Sequence, residues 1–272
     1  MKLIGIGDNV VDYYQDQGMI YPGGNALNVA VSAKRNGVEV SAYFGIAGDD
    51  AAADLILGSL REERVEMRIR RVYGPSGEAT VTLNEEGDRI FVGTNRGTRV
   101  QSLLMLKFTQ EDLDYINGFD LIHTSVNSDL EHELPRLSFK PLSFDFSTPK
   151  KWTYEYLAQI CPHLTYAFFS GSELTLDEIN RLMKVVHGFG VKVVGVTRGS
   201  EPALFSESGQ RFEQLPVSID VVDTMGAGDS FIGGFLAAYH QGKGMQASLL
   251  QAARSAASTC TVYGAFGYGT RR

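Results

Sequence analysis

What most restricts the fold open to this 272-residue chain is a recurrence of short, nearly unbroken apolar runs separated by stretches of helix length. Residues 3–6, 38–44, 121–123, 142–146, 164–169 and 191–197 read as strands, the last being the most strand-like of all. Those after residue 119 look buried and parallel, as in strands covered by helices above and below. Helix-like segments alternate with them at 25–36, 49–63, 129–137, 153–161, 175–188, 228–241 and 245–263. Gly37 stands as the C-terminal glycine of the first. Thr175-Leu176-Asp177-Glu178 is a capping box, in which hydroxyl and carboxylate each satisfy the other's free backbone N–H. Such alternation predicts an α/β fold with a mostly parallel central sheet and helices on both faces. No long repeat, low-complexity tract or linker interrupts it, so residues 1–272 read as one domain.

The middle of the chain has a different rhythm. Residues 67–72, 78–83 and 89–92 alternate apolar and polar side chains, as strands with one buried and one wet face do. Glu85-Glu86-Gly87-Asp88 reads as the turn of a hairpin joining the last two. Nearer the start, 10–14 is extended, 19–21 can pair back on it, and Pro22-Gly23-Gly24 ends the run. Together about 10–22 and 67–93 predict a small β-sheet serving as a lid. Another short hairpin, 203–205 with 211–214, precedes the last two helices.

Composition narrows the function. Hydrophobic residues make up 43% of the chain, enough for a sizeable core, and the net charge is −7. A nucleic-acid surface would need clustered Lys and Arg, so nucleic acid is not an expected partner. Gly and Asp break the first residues too often for a signal peptide, and no apolar run elsewhere reaches membrane-spanning length. The expectation is a soluble cytoplasmic protein. Cys161 and Cys260 form neither a metal spacing nor a disulfide framework, which suits a reducing compartment. The five histidines share no spacing that would bind a metal.

Five stretches are candidates for chemistry. Asp223-Thr224-Met225-Gly226-Ala227-Gly228-Asp229 opens an apolar helix-like run with almost no side-chain bulk. It fits two descriptions. One is a tight turn with an N-terminal charge. The other is an anion site at free helix N–H groups with a base beside it, since a carboxylate there would take a proton rather than grip a phosphate. Gly23-Gly24-Asn25-Ala26-Leu27-Asn28 is either a helix start capped by Asn25 or a close-approach site. In the second case Asn28 offers sugar hydroxyls both a donor and an acceptor. Gly7-Asp8-Asn9-Val10-Val11-Asp12 puts acidic groups at the end of the first strand, where open α/β sheets bind ligands. Its Gly5-x-Gly7 lacks the third glycine and following helix of a dinucleotide fingerprint. Val196-Thr197-Arg198-Gly199-Ser200 and Ser170-Gly171-Ser172-Glu173 also follow strand ends, and both read equally as turns and caps.

Two of these stretches, in this order and at this separation, resemble the two signatures of the ribokinase-like (PfkB) sugar kinases: Gly23 to Asn28 near the start and Asp223 to Asp229 near the end. The resemblance runs over essentially the whole chain, lid included. It implies a ribokinase-like fold and transfer of the ATP γ-phosphate to a sugar hydroxyl. By residue it implies Asp229 as catalytic base, with Gly226, Ala227 and Gly228 as a backbone anion hole. Asp12, Gly23, Gly24 and Asn28 match binders of sugar hydroxyls, and Thr197 and Gly199 the nucleotide-side loop. Tyr263 lies where the adenine pocket should close. Glu173 matches the acidic member of an Asn-x-x-Glu pattern tied to hydrated Mg2+, although Ser170 stands in place of the Asn. Asp223 matches a residue of the monovalent-cation (K+) loop of many members. Arg198 and Pro202 depart from the usual nucleotide loop. Lid sheets in this fold often pair between subunits, which implies a homodimer through the lid.

Within the family, Gly7-Asp8-Asn9 with Asp12, Ser143-Phe144-Asp145-Phe146-Ser147 before Lys150-Lys151-Trp152, and Val222 to Ile232 look like fructoselysine 6-kinases. That implies the 6-hydroxyl of an Amadori sugar–amino acid as acceptor. Asn95 and Arg96, just after the lid, are either partners for the carboxylate of such a substrate or an exposed polar loop. The rival readings are a kinase of ribose, a fructose or phosphofructose, or a nucleoside, and a non-catalytic sugar or nucleotide binder on the same fold.

Overall fold

Two sheets organise the chain in the computed structural model, which describes residues 1–83 and 89–272. In order the elements are β1 (Lys2–Ile6), β2 (Val10–Tyr14), β3 (Met19–Gly23), α1 (Asn25–Arg35), β4 (Val40–Ala47), α2 (Ala51–Glu62), β5 (Glu66–Arg71), β6 (Glu78–Leu83), β7 (Arg89–Thr94), α3 (Val100–Leu103), α4 (Gln110–Asn117) and β8 (Leu121–Ser125). They continue as α5 (Leu134–Leu137), β9 (Leu142–Asp145), α6 (Tyr154–Ile160), β10 (Tyr166–Ser170), α7 (Leu176–Gly188), β11 (Val193–Arg198), β12 (Glu201–Glu207), β13 (Gln210–Gln214), α8 (Ala227–His240), α9 (Met245–Thr259) and β14 (Thr270–Arg271). Among the described residues the large sheet runs β13-β12-β11-β10-β9-β8-β1-β4-β5 and the small one β14-β3-β2-β6-β7. From β11 to β5 the large sheet is parallel, and the β12–β13 hairpin continues it antiparallel.

Successive side chains on the parallel strands point to opposite faces, so each strand feeds two cores. Leu3, Tyr43, Leu121 and Phe168 pack with α1, α8 and α9 on one face. Ile4, Phe44, Ile122 and Phe169 pack with α4, α6 and α7 on the other. Each such side chain taken fully out of water stabilises the fold by roughly 1.5–3 kcal/mol. Phe146 stacks on Phe169 with ring centres 4.7 Å apart, which locks β9 to β10 beside the site. Cys161 and Cys260 are buried thiols.

One expected strand sits elsewhere. Residues 67–72, read as part of the lid, form β5, which pairs in parallel with β4 from Ala42↔Glu66 to Ala47↔Arg71 at the edge of the large sheet. Its alternation misled because Arg68 and Arg70 face α4, where both pair with Asp112 and lie over the Phe44 ring. That helix was not foreseen, although Thr109 and Asp112 form a capping box at its start. Residues 129–137 are a 3-10 turn and one turn of α-helix rather than a full helix. The expected Glu85–Asp88 turn lies outside the described residues. At the far end, β14 adds to the small sheet by pairing with β3.

Candidate active site

A cleft of about 950 Å3 opens at the carboxyl ends of β1 and β8 to β11, under β7 of the small sheet. Two helix starts converge on it. Before α1, Gly24 has φ 117°, and any side chain there would drive into the backbone of Asp8 and Asn9. This close approach lets Asp8 accept the free N–H groups of Asn25 (2.6 Å) and Ala26 (3.2 Å). The hydroxyls of Ser125 and Ser128 complete its shell, so Asp8 is buried but satisfied. Before α8, Gly226 has φ 70° and lies against Ala265, where a Cβ would fall 2.5 Å from the Ala265 Cβ. The Ala227 N–H turns back to the Thr224 carbonyl at 3.2 Å. The next amides, those of Gly228 and Asp229, have no intrahelical acceptor at a helix start, and Gly228 faces open space.

Asp229 sits half-buried on that first turn. Its Oδ1 accepts from the Asn25 amide at 2.6 Å and its Oδ2 from the Asn28 amide at 2.7 Å. Burial, followed by the nearby Asp145 carboxylate, raises its pKa well above the ordinary range, with the Asn28 hydrogen bond opposing. Asn25 Nδ2 also donates to Asp145 Oδ2 at 2.5 Å, so one amide bridges two carboxylates. Burial pushes Asp145 up to about 6, against the hydrogen bonds from Ser147 N–H and Asn25.

Behind them stands His123, wholly buried and lowered by that burial to about 3, hence neutral. Because Asn25 Nδ2 donates to carboxylates, its Oδ1 must accept. His123 Nε2 therefore carries the proton and donates to Asn25 at 3.2 Å, while Nδ1 accepts from the Ser143 hydroxyl at 2.9 Å. The relay fixes which way the Asn25 amide points.

The structure brings most of the expected site residues together. Asp229, Ala227, Gly228, Asp12, Gly24, Asn28, Arg96, Thr197 and Gly199 line the cleft. Gly23 lies directly behind Asp12, whose Oδ2 would be 2.5 Å from an added Cβ, and Gly226 lies behind the α8 start. The Asn28 Oδ1 is buried with no hydrogen-bond partner among the described residues.

Four expected residues lie elsewhere. The Asn95 side chain ties the chain together, accepting from Glu78 N–H at 2.8 Å and donating to the Ser76 carbonyl at 2.7 Å. Tyr263 packs beside Tyr14 and Tyr21 of the small sheet, each with ring centres 6.4 Å away. Glu173 is exposed and lies 3.6 Å from Lys150. Asp223 accepts from the Tyr14 hydroxyl at 2.5 Å and from the N–H groups of Met225 (3.0 Å) and Gly264 (2.8 Å). Both oxygens of that buried carboxylate are used within the chain. Asp223 thus acts as a clamp on the loop.

Sequence reasoning did not single out Asn25, His123 or Asp145 as site residues. Asn25 looked like a helix cap and His123 like a strand residue. Only the strand order, which sets β8 beside β1 and β9 beside β8, shows that they meet.

The comparisons with known proteins decide the family. A model of the pfkB family of carbohydrate kinases matches residues 1–267. This chain belongs to that family. It is 54% identical to a fructosamine kinase of Bacillus subtilis (strain 168) over 99% of its own length and 94% of the relative's. It is 32% identical to a fructoselysine 6-kinase of Escherichia coli (strain K12), covering 96% and 98% of the two chains. In fold it is similar to an Arabidopsis thaliana ribokinase solved with ribose and ATP, at TM-score 0.81, 20% identity and 98% and 95% coverage. An Escherichia coli ribokinase II solved with ATP and Mg2+ gives TM-score 0.79 at 20% identity, over 97% and 94% of the chains. The protein is thus a carbohydrate kinase with the expected ribokinase-like fold. Among the described residues no helix is long and apolar enough to cross a membrane. Nor, among them, do three or more His, Cys, Asp or Glu side chains gather to hold a metal.

Proposed function

We propose that this kinase uses ATP to phosphorylate the 6-hydroxyl of fructoselysine or a related Amadori sugar–amino acid. The observation that carries the reading is Asp229, a carboxylate of raised pKa held by two amides beside the open N–H groups of a helix start. Similarity to the fructosamine and fructoselysine kinases supports the acceptor. In this reading the sugar lies over Asp12, Gly24 and Asn28, with its 6-hydroxyl on Asp229. Asn28 Oδ1, without a hydrogen-bond partner among the described residues, accepts from another hydroxyl. Asp229 takes the hydroxyl proton as the sugar oxygen bonds to the γ-phosphorus. The bond from that phosphorus to the β-phosphate bridging oxygen breaks and ADP leaves. A raised pKa suits this proton transfer because it brings the base nearer to working pH. The Gly228 N–H and the α8 dipole meet charge on the transferred group. Thr197 and Gly199 contact the nucleotide from the β11 end.

Mg2+ brought in with ATP would supply further charge neutralisation, and Glu173 would reach it only by leaving its pairing with Lys150 outside the cleft. K+ near the loop that Asp223 clamps belongs to the same reading, and dependence of turnover on K+ tests it.

The test is an ATP-coupled screen of fructoselysine and related Amadori compounds against fructose, fructose 6-phosphate, ribose and adenosine. Turnover confined to the latter group would reject the Amadori acceptor and leave a kinase of another sugar. No phosphoryl transfer to any of them, with binding retained, would support a non-catalytic binder. A homodimer through the small sheet belongs to the same reading, because Ile90, Phe91 and Val92 are exposed on β7, its outer strand among the described residues. Light scattering tests it, and a monomer at micromolar concentration rejects it.

A further inference from the structure

Beside Asp8, on the β8 flank of the cleft, two arginines gather around one carboxylate and a lysine stands near by. Arg96 and Arg99 follow β7, Asp129 follows β8, and Lys151 follows β9. Arg96 donates to Asp129 Oδ1 at 2.5 Å. Arg99 is 6% exposed, and its nearest nitrogen lies 3.9 Å from Asp129 Oδ2, outside hydrogen-bond reach. That Oδ2 is buried with no hydrogen-bond partner among the described residues. Burial pulls Arg99 below the ordinary guanidinium range, and Asp8 and Asp129 offset this only in part. Arg99 Nε donates to the Ser102 hydroxyl at 2.8 Å, and Lys151 Nζ to Asn127 Oδ1 at 3.0 Å. Arg96, Arg99, Asn127 and Lys151 all line the cleft. The other carboxylate on this flank, Asp8, already accepts two helix N–H groups and two serine hydroxyls.

Enclosing a cation such as Arg99 costs free energy unless an anion meets it, and a planar guanidinium pair suits a carboxylate in particular. The strand order β11-β10-β9-β8-β1 puts this cluster on the flank away from Thr197 and Gly199 at the end of β11. Asp229 lies between, held to Asn25 and Asn28 of α1. A six-carbon sugar with its 6-hydroxyl on Asp229 directs carbon 1, and anything attached there, away from the nucleotide.

We propose that Arg96, Arg99 and Lys151 form an aglycone subsite for the free carboxylate of an amino acid carried on the sugar. This rests on the Amadori reading above and assigns the residues that choose the attached group. Binding the carboxylate supplies the missing anion and lets Arg99 complete its hydrogen bonds. Asp129 stays as the fixed counter-charge that keeps Arg96 in place. The subsite makes the free acid a better substrate than its amide, and it acts on KM because it holds the carboxylate alike in the ground and transition states.

The experiment compares fructoselysine with its α-carboxamide, in the wild-type enzyme and in Lys151→Met and Arg99→Gln. In the wild type kcat/KM should favour the acid by tenfold or more, and each variant should lower that preference at least fivefold, through KM. Lys151 is exposed, so Lys151→Met remains informative if the buried Arg99 variant does not fold. Equal use of acid and amide by the wild type overturns the subsite. So does an equal loss on both substrates in Lys151→Met, or a rise in the KM for ATP instead of the sugar. Turnover of neither Amadori compound by the wild type rejects the acceptor itself, which is a distinct failure.

Discussion

The floor of the cleft and its cover are built on different terms. On the floor, Asp8, Asn25, His123, Asp145 and Asp229 come from five separate segments and are joined by hydrogen bonds of 2.5–3.2 Å. Their backbones belong to central parallel strands or to helix starts packed on them, so rotation of one side chain would break bonds to two others. The cover is strand β7, where Phe91 is 64% exposed and its neighbours Ile90 and Val92 are open as well. Phe91 and Val92 face the cleft yet have little to rest on. A reacting hydroxyl must be placed within a fraction of an ångström, which a rigid floor does. Under the proposed function a cover must admit substrate and then exclude water, and an unpacked apolar strand suits that.

If this contrast is right, floor changes should strike kcat and cover changes should strike KM and coupling. Asp229→Asn should lower kcat by about 10²–10⁴-fold with the circular dichroism spectrum and nucleotide binding retained; turnover near the wild-type rate would remove Asp229 from the role of base. Asn25→Ala strips one donor from Asp229 and one from Asp145, and should cost roughly 10–100-fold in kcat, while leaving the nucleotide KM in place. Were Asn25→Ala as fast as the wild type, the floor would not be the rigid half. Phe91→Ser should raise the sugar KM by about threefold and increase ATP hydrolysis without sugar, measured as ADP release in the absence of acceptor. A fall in kcat with unaltered coupling would blur the distinction between the halves.

Asp145→Asn should have the smallest effect on the plateau rate but move the pH profile. The Asp145 charge helps to raise the Asp229 pKa, so removing it lowers that pKa and carries the acidic limb of kcat/KM to lower pH. The same substitution tests stability. Asp145 is raised from 3.8 to about 6 in the folded protein, so it binds its proton more tightly when folded. Its contribution to stability is therefore full below pH 3.8 and is lost as pH rises through about 6. In thermal melts Asp145→Asn should flatten the fall in Tm across that window, and an unchanged slope would remove Asp145 as its source.

Much of this was legible beforehand because the physics is local. Apolar runs on both faces marked the parallel strands, and the Thr175 and Glu178 capping box is formed as expected. Gly24 and Gly226 announced helix starts, and Asp229 was placed beside the free amides expected at the second. What misled was also local: the alternation in β5 reads like a lid strand until Asp112 is seen to pair with its arginines. Asn95 looked like a ligand for substrate because its two backbone partners, at Ser76 and Glu78, are far from it in sequence.

The sequence by itself determined the α/β alternation, the two glycine-led helix starts and the placing of an aspartate on the first turn of the second, since each follows from side chains within a few positions of one another. Only the tertiary structure decided that Asp223 is a clamp, that His123 orients Asn25, and that two arginines from one loop gather around Asp129 with a lysine from another near by. Those facts depend on which strand lies next to which. That adjacency is set by how both faces of the large sheet are buried, and no window of neighbouring residues contains it.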